Sequence, residues 1–251
     1  MALENVSKRF GEHTVLDHLT LAVPPEQSLV IMGPSGQGKT VLLKHLIGLV
    51  QPDAGRVFID GVDFWAQSEG KRRQLRRRFG ISFQEGALFD SLSVFENVAF
   101  PLRRHTDWSE ERIRDRVLAC LDRVNLPGIE RRRTSELSTG MRRRVGFARA
   151  IALQPEVLLF DEPTAALDPV MVTVVNEVIA ELSRRSTTVL ATHDLRTTRA
   201  VADRVVLLFE GKLVADASVS EFEKLPNPEV RQFIEGRAQG PLSAGEVAEL
   251  S

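Results

Sequence analysis

In Ser28-Leu29-Val30-Ile31-Met32-Gly33-Pro34-Ser35-Gly36-Gln37-Gly38-Lys39-Thr40-Val41, an apolar run ends at a glycine-rich turn. The residues that follow, Val41 to Leu49, put apolar side chains at helical spacing. This order predicts a short buried strand, a loop and a helix. Gly33 to Thr40 fits the pattern G-x-x-x-x-G-K-[ST], which has chemical meaning only between a strand and a helix. Glycines let the backbone turn its N–H groups inward, and the helix N-terminus adds positive potential. Lys39 can then reach β- and γ-phosphates, and the Thr40 hydroxyl can ligate Mg²⁺. The expected ligand is a nucleoside triphosphate held by Gly33, Pro34, Ser35, Gly36, Gln37, Gly38, Lys39, Thr40 and Val41. At Val41 the second hydroxyl often found in such loops is absent.

Upstream, Ala2 to Val6 and Val15 to Val23 alternate apolar and polar residues around Gly11 and His13, as expected of an antiparallel hairpin or meander. Downstream, Val157 to Phe160, Thr187 to Ala191 and Arg204 to Phe209 read as buried strands, with a helix over Val170 to Arg184. Strand and helix in alternation imply a parallel sheet and an α/β class. Between Glu85 and Gln154 the pattern turns helical, as in Glu110 to Val124 and Arg142 to Leu153, bounded by Pro101, Pro127 and Pro155. The segment after Ser218 carries scattered Pro and Gly, which predicts a helix or two and then loose chain.

With 251 residues and 43% hydrophobic content the chain can bury a full core. Its 33 basic and 34 acidic residues leave no global charge to draw nucleic acid or anionic lipid. No charge-free run is long enough to span a bilayer, and Glu4, Lys8 and Arg9 interrupt the start where a signal peptide needs apolar residues, so a cytoplasmic protein is expected. Cys120 is the sole cysteine and sits among apolar residues like a helix's buried face, so no chemistry is assigned to it.

Val157-Leu158-Leu159-Phe160-Asp161-Glu162 is an apolar strand that ends in two carboxylates, on the side where open parallel sheets bind ligands. Asp161 can hold Mg²⁺ through water, and Glu162 can polarise a water attacking the γ-phosphate. Without the phosphate loop, a solvated strand end would be the simpler reading. His193 closes another apolar strand on the same edge; alone, a histidine there is more often structural. No Cys/His spacing suggests zinc.

Leu137-Ser138-Thr139-Gly140-Met141 precedes the helix read over Arg142 to Leu153. With this segment the chain, over about residues 1 to 216, resembles the ATPases of ABC transporters, whose signature usually reads LSGGQ. The resemblance implies a P-loop NTPase with a RecA-like mixed-sheet core, an antiparallel β subdomain and an ABC-type α-helical subdomain. Residues 1–84 and 156–217 would form the core, 85–155 the helical subdomain and 218–251 a tail. Phe10 would stack on adenine, Gln84 would touch Mg²⁺ and sense the transporter, and His193 would act as the switch histidine. Glu162, His193 and Gln84 are thus the expected catalytic set, with Mg²⁺ held by Thr40, Gln84 and Asp161. Ser138, Thr139, Gly140 and the D-loop Asp168 would reach ATP bound to the other copy of a homodimer. Thr139 stands at a signature glycine and Met141 at the glutamine; ATPase activity is expected to survive both changes.

Phe83-Gln84-Glu85-Gly86-Ala87-Leu88-Phe89 onward to Arg103, the segment Asn227 to Gly236, and Met141 are similar to the ATPases of Mla/Mce-type lipid transport systems. That resemblance implies a membrane permease, an Mce-domain lipid-binding partner, in some systems a small STAS-domain subunit, and a place on the cytoplasmic face of the inner membrane. Another ABC importer or exporter remains an alternative. So does an ABC ATPase acting on nucleic acid or ribosomes, since Arg72-Arg73, Arg76-Arg77-Arg78, Arg131-Arg132-Arg133 and Arg142-Arg143-Arg144 could bind phosphates. These runs carry little aromatic interleaving, and no nucleic-acid partner is expected.

Overall fold

The computed structural model describes residues 1–83 and 87–243. The chain forms two compact units, one of residues 1–76 and 190–251 and the other of residues 77–189.

The first unit opens with β1 (Ala2–Phe10) and β2 (His13–Ala22), paired antiparallel from Ala2↔Ala22 to Phe10↔His13. Leu3, Val6, Leu16, Leu19 and Leu21 point inward, as the alternation predicts, and the strands run beyond the expected limits to meet at Gly11. After β3 (Ser28–Met32) and α1 (Lys39–Leu46) come β4 (Ala54–Ile59) and β5 (Val62–Asp63), which complete an antiparallel sheet in the order β2-β1-β4-β5. Helix α2 (Glu69–Arg76) closes this part of the chain.

The second unit begins with β6 (Phe79–Ser82), followed by α3 (Val94–His105), α4 (Glu110–Arg123) and α5 (Thr139–Ala150). Strand β7 (Val157–Asp161) pairs parallel to β6, Phe79↔Val157 through Ser82↔Phe160. Helix α6 (Pro169–Ser183) leads to β8 (Thr187–Ala191), along which the chain passes back into the first unit. There α7 (Leu195–Val201), β9 (Arg204–Phe209) and β10 (Lys212–Ser218) follow, with β9 parallel to β3 and antiparallel to β10. Helices α8 (Val219–Phe222) and α9 (Pro228–Glu235) then close the described chain, with one 3₁₀ turn at Pro241–Ser243.

Buried strands come where apolar runs come. Every residue of β3 is buried, and so is every residue of β8. Strands buried on both faces read as continuous apolar runs and not as alternation, a mark of parallel pairing between covering helices. Cys120 is fully buried on α4, and burial pushes its thiol above the usual range, the setting of an inert core residue.

One helix boundary differs from expectation in an informative way. Helix α5 starts at Thr139, not Arg142, because Ser138 is its N-cap and accepts the Met141 N–H at 3.3 Å. Thr139 and Gly140 are therefore its first turn. Helix α3, within the segment whose pattern turns helical, has a full capping box: the Ser93 hydroxyl accepts from Glu96 N at 3.2 Å and the Glu96 carboxylate accepts from Ser93 N at 2.8 Å. The Ser93 N–H and hydroxyl, each donating to the Glu96 carboxylate at 2.8 Å, hold Glu96 below the ordinary carboxylate range.

Candidate functional site

In the first unit, β3 delivers Gly33 to the phosphate loop and α1 begins at Lys39. Gly33 sits at φ 151°, and a Cβ there would lie 2.4 Å from the Leu208 carbonyl oxygen, so the loop can pass the neighbouring strand only as glycine. Gly38 is the N-cap of α1 at φ 89°, and no side chain caps that helix end. A helix start left without a side-chain cap, preceded by glycines in left-handed backbone, suits phosphate oxygens. Lys39 is buried, and its Nζ donates to the carbonyls of Gly33 and Pro34, at 2.8 Å each. The ammonium is thus already folded back over the loop. The first half of the loop lines a cleft of about 430 Å³, with Pro34, Ser35, Gly36 and Gln37 on one side and His13, Thr14 and Val15 among the other lining residues. The Gln37 side-chain oxygen accepts the Glu210 N–H at 2.8 Å and fixes the loop to the β9–β10 turn.

Phe10 ends β1 with 51% of its surface exposed, and the Lys8 ammonium lies 5.4 Å from its ring centroid. An exposed ring at a hairpin tip is available to stack on a base. His193 follows β8 and is exposed, just before Asp194, whose carboxylate caps α7 by accepting from Arg196 N at 2.9 Å.

In the second unit, Asp161 ends β7 and Glu162 follows, both buried. Glu162 is held at φ 49°, in the left-handed region that non-glycine residues avoid. Such strain persists where the surroundings over-determine it and often coincides with function. Behind this strand end, Phe160 stacks on Phe147 of α5, ring centroids 4.6 Å apart and 15° from parallel. The signature helix is thereby packed directly on the acidic strand. Ser138 and Thr139 are exposed at its start. Gly140 has close quarters: a Cβ there would come within 3.0 Å of Leu167 Cδ2. Arg143 of the same helix donates to the Ala165 carbonyl. Asp168 caps α6, its carboxylate accepting from Val170 N at 3.0 Å and Met171 N at 3.1 Å. Gln84 lies outside the described residues.

A second feature of this unit was not singled out from sequence. A shallow groove of about 330 Å³ is lined by Phe79, Ile81, Phe89, Phe100, Pro101 and Arg149, among others. Phe89 and Phe100 are 44% and 46% exposed with centroids 4.8 Å apart. Fully buried Asn97 holds Phe89 in place: its amide nitrogen donates to Phe89 O at 3.1 Å and Ser93 O at 3.0 Å, and its oxygen accepts from Phe89 N at 2.9 Å. The signal in the sequence was Ser93-x-x-Glu96, a capping box that sets Asn97 one turn into a helix.

Several arginines of the basic runs are committed to intrachain bonds, whereas Arg131, Arg132 and Arg133 are exposed. Arg142 bonds to Thr134 O and Asp90, Arg144 to the carbonyls of Val124 and Asn125, and Arg78 to Glu156. Arg72 and Arg76 both pair with Glu69, and they lie over the rings of Trp65 and Phe64. Guanidinium groups tied down this way are poor material for a phosphate-binding face.

A strand, a glycine loop with an inward lysine and an uncapped helix start define a P-loop nucleoside triphosphatase. The model of the ABC transporter family matches residues 16–165, and the chain belongs to that family; it is an ATPase of the cassette type. Over 246 residues it is 39% identical to the "Probable ribonucleotide transport ATP-binding protein mkl" of Mycobacterium leprae, covering 97% of this chain and 71% of the relative. Over 242 residues it is 39% identical to the intermembrane phospholipid transport system ATP-binding protein MlaF of Escherichia coli K12, covering 96% and 90%. Among solved structures, the dimeric bacterial ABC transporter cassette MJ0796 superposes with a TM-score of 0.83 at 31% identity, covering 87% of this chain and 98% of that one. Its post-hydrolysis dimer with ADP and Pi gives 0.82 at 31%, with the same coverage. The α/β fold class and the ABC reading made from sequence are borne out.

Proposed function

We propose that this chain powers phospholipid movement between membranes, working as a homodimer bound to a membrane permease. The observation that carries the reading is 39% identity to MlaF across 90% of that relative's length. The mkl relative, named for ribonucleotides, is equally similar, but this chain spans only 71% of it.

In this reading Gly33 to Val41 cradle the ATP phosphates, with Lys39 on the β- and γ-phosphates, and exposed Phe10 stacks on adenine. Thr40, Asp161 and Gln84 would hold Mg²⁺, which would supply charge neutralisation of the triphosphate. Oxygen donors of this kind suit a hard cation. Glu162 orients the attacking water and His193 contacts the γ-phosphate. Ser138, Thr139, Gly140 and Asp168 reach ATP held by the second copy, because a helix N-terminus exposed at Ser138 can offer N–H donors to phosphate. ATP then closes the dimer, and hydrolysis removes the charge that holds it shut.

The Phe89–Phe100 groove suits an apolar partner helix, as a permease's cytoplasmic helix could be. Among the described residues no helix is long and apolar enough to cross a membrane; attachment at the cytoplasmic face of the inner membrane, through the permease, is part of the proposal. An Mce-domain protein and a small STAS-domain subunit complete the proposed assembly. The committed arginines weigh against nucleic acid.

The test is purification of the tagged full chain from native membranes in mild detergent, with mass spectrometry of co-purifying proteins and lipids. A permease, an Mce-domain protein and phospholipid are expected. A different permease with ribonucleotide uptake would overturn the lipid assignment, and ribosomes or DNA would overturn the transport assignment.

A further inference from the structure

The cleft beside the phosphate loop has a wall from an unexpected part of the chain. Besides Ser35, Gln37, His13 and Val15, it is lined by Leu242. Leu242 belongs to the turn Pro241–Ser243, far beyond the last strand.

A single side chain holds that turn. Gln232 of α9 is 6% exposed, and each end of its amide is used. Its oxygen accepts the Leu242 N–H at 2.8 Å; its nitrogen donates to Arg237 O at 3.1 Å and Ser243 Oγ at 2.8 Å. The Ser243 hydroxyl passes its own proton on to Ala238 O at 2.8 Å. Gly240 completes the latch: at φ 155° it lies so close that a Cβ would fall 2.4 Å from Gln232 Oε1. A buried amide with its donors and acceptor satisfied fixes a segment much more firmly than one surface contact does.

We propose that Leu242, latched by Gln232, forms part of the surface against which the ribose and base of the bound nucleotide pack. Phosphates would take the loop N–H groups, and the cleft that begins at Ser35, Gly36 and Gln37 offers the remainder of the nucleotide a place to lie. That remainder has apolar faces, and Val15 and Leu242 offer apolar walls for them. The hairpin register supports the direction, since Phe10 is paired with His13, which itself lines the cleft. Leu242 is therefore a positioning contact for the nucleoside, contributed by the segment after the last strand. The inference rests on the reading of this cleft as the ATP site.

The test is calorimetric binding to the full chain of a non-hydrolysable ATP analogue and, separately, of inorganic tripolyphosphate, both with Mg²⁺. Leu242→Ser should weaken the ATP analogue about fivefold, the loss expected for one partly covered leucine contact. Gln232→Ala should do the same by releasing the latch, and the double variant should lose little more. Tripolyphosphate, which has no nucleoside, should bind all variants as it binds the wild type. Unchanged affinity of Leu242→Ser for the ATP analogue would overturn the inference, as would a parallel loss for tripolyphosphate. A wild-type chain that binds tripolyphosphate but gains nothing from the nucleoside would instead overturn the assignment of the cleft itself.

Discussion

Asn97→Ala should unfasten the loop that presents Phe89. The wild-type amide makes three good bonds, to Phe89 N at 2.9 Å, Ser93 O at 3.0 Å and Phe89 O at 3.1 Å; a fourth approach, to Leu92 O, is long at 3.4 Å. At about 1 kcal/mol net for each of the three, the loss is about 3 kcal/mol. For a chain of this length, that corresponds to a fall in melting temperature on the order of 6–12 °C if unfolding is cooperative. The sharper assay is amide hydrogen exchange at Phe89. Its N–H is held by Asn97 Oδ1 in the wild type and should exchange at near-loop rates in the variant, while amides of β7 keep their protection. Asn97→Asp separates the roles, since it keeps an acceptor for Phe89 N but turns a carboxylate oxygen toward the Phe89 and Ser93 carbonyls. It should be at least as damaging. Unchanged Phe89 protection in Asn97→Ala, with a melting temperature within about 2 °C of wild type, would refute the account.

Gly33→Ala should weaken ATP binding and lower stability by more than about 1 kcal/mol, because its Cβ would meet the Leu208 carbonyl at 2.4 Å; denaturant titration and nucleotide titration check the two effects. Glu162→Gln should retain ATP binding and lose most steady-state hydrolysis, by on the order of 10²-fold or more, measured by phosphate release; undiminished turnover would remove Glu162 from the role proposed for it. His45 is fully buried, with Nδ1 2.7 Å from Val41 O and no hydrogen-bond partner at Nε2, and burial pushes its pKa below the ordinary 6.5. Below pH 6.5 the unfolded chain takes up a proton that the folded chain does not, so this contribution to stability is present at neutral pH and falls as pH drops. The slope should reach at most about 1.4 kcal/mol per pH unit, and denaturation of wild type and His45→Asn from pH 7.5 to 5 should show it reduced in the variant.

The phosphate loop, the acidic strand and the signature were legible because each needs fixed residue types at fixed spacing next to a strand or helix end. The buried strands β3, β7, β8 and β9 were legible because runs such as Val205-Val206-Leu207-Leu208 leave no polar side chain to face water. Strand β4 and helix α2 were not identified. In β4 only Val57 and Ile59 are buried, and the rest of the strand faces outward or partly so. Helix α2 buries Leu75 alone and is held by arginines over Trp65 and Phe64, contacts that no helical periodicity reveals. The Arg142-Arg143-Arg144 run shows the same physics: as letters it resembles a phosphate-binding surface, whereas folded its guanidinium groups donate to the carbonyls of Thr134, Ala165, Val124 and Asn125 and to Asp90. Leu242 could not have been placed from sequence, since nothing in an isolated Pro-Leu-Ser says that Gln232 will carry it back to the loop. The start of α5 was misplaced by three residues because Ser138 was read as signature alone and not also as a cap.

If Glu162 has the role proposed for it, its left-handed backbone puts stability and hydrolysis in opposition at one position. A glycine there would relax the strain, a gain on the order of 1 kcal/mol for a backbone that L-residues adopt reluctantly. It would also delete the carboxylate. A screen that rewards only thermal tolerance should therefore enrich Glu162→Gly or Glu162→Asn and return folded, ATP-loaded cassettes that do not turn over. Stabilised versions of this chain made for structural work should be checked at this codon before their dimers are taken as snapshots of a working cycle.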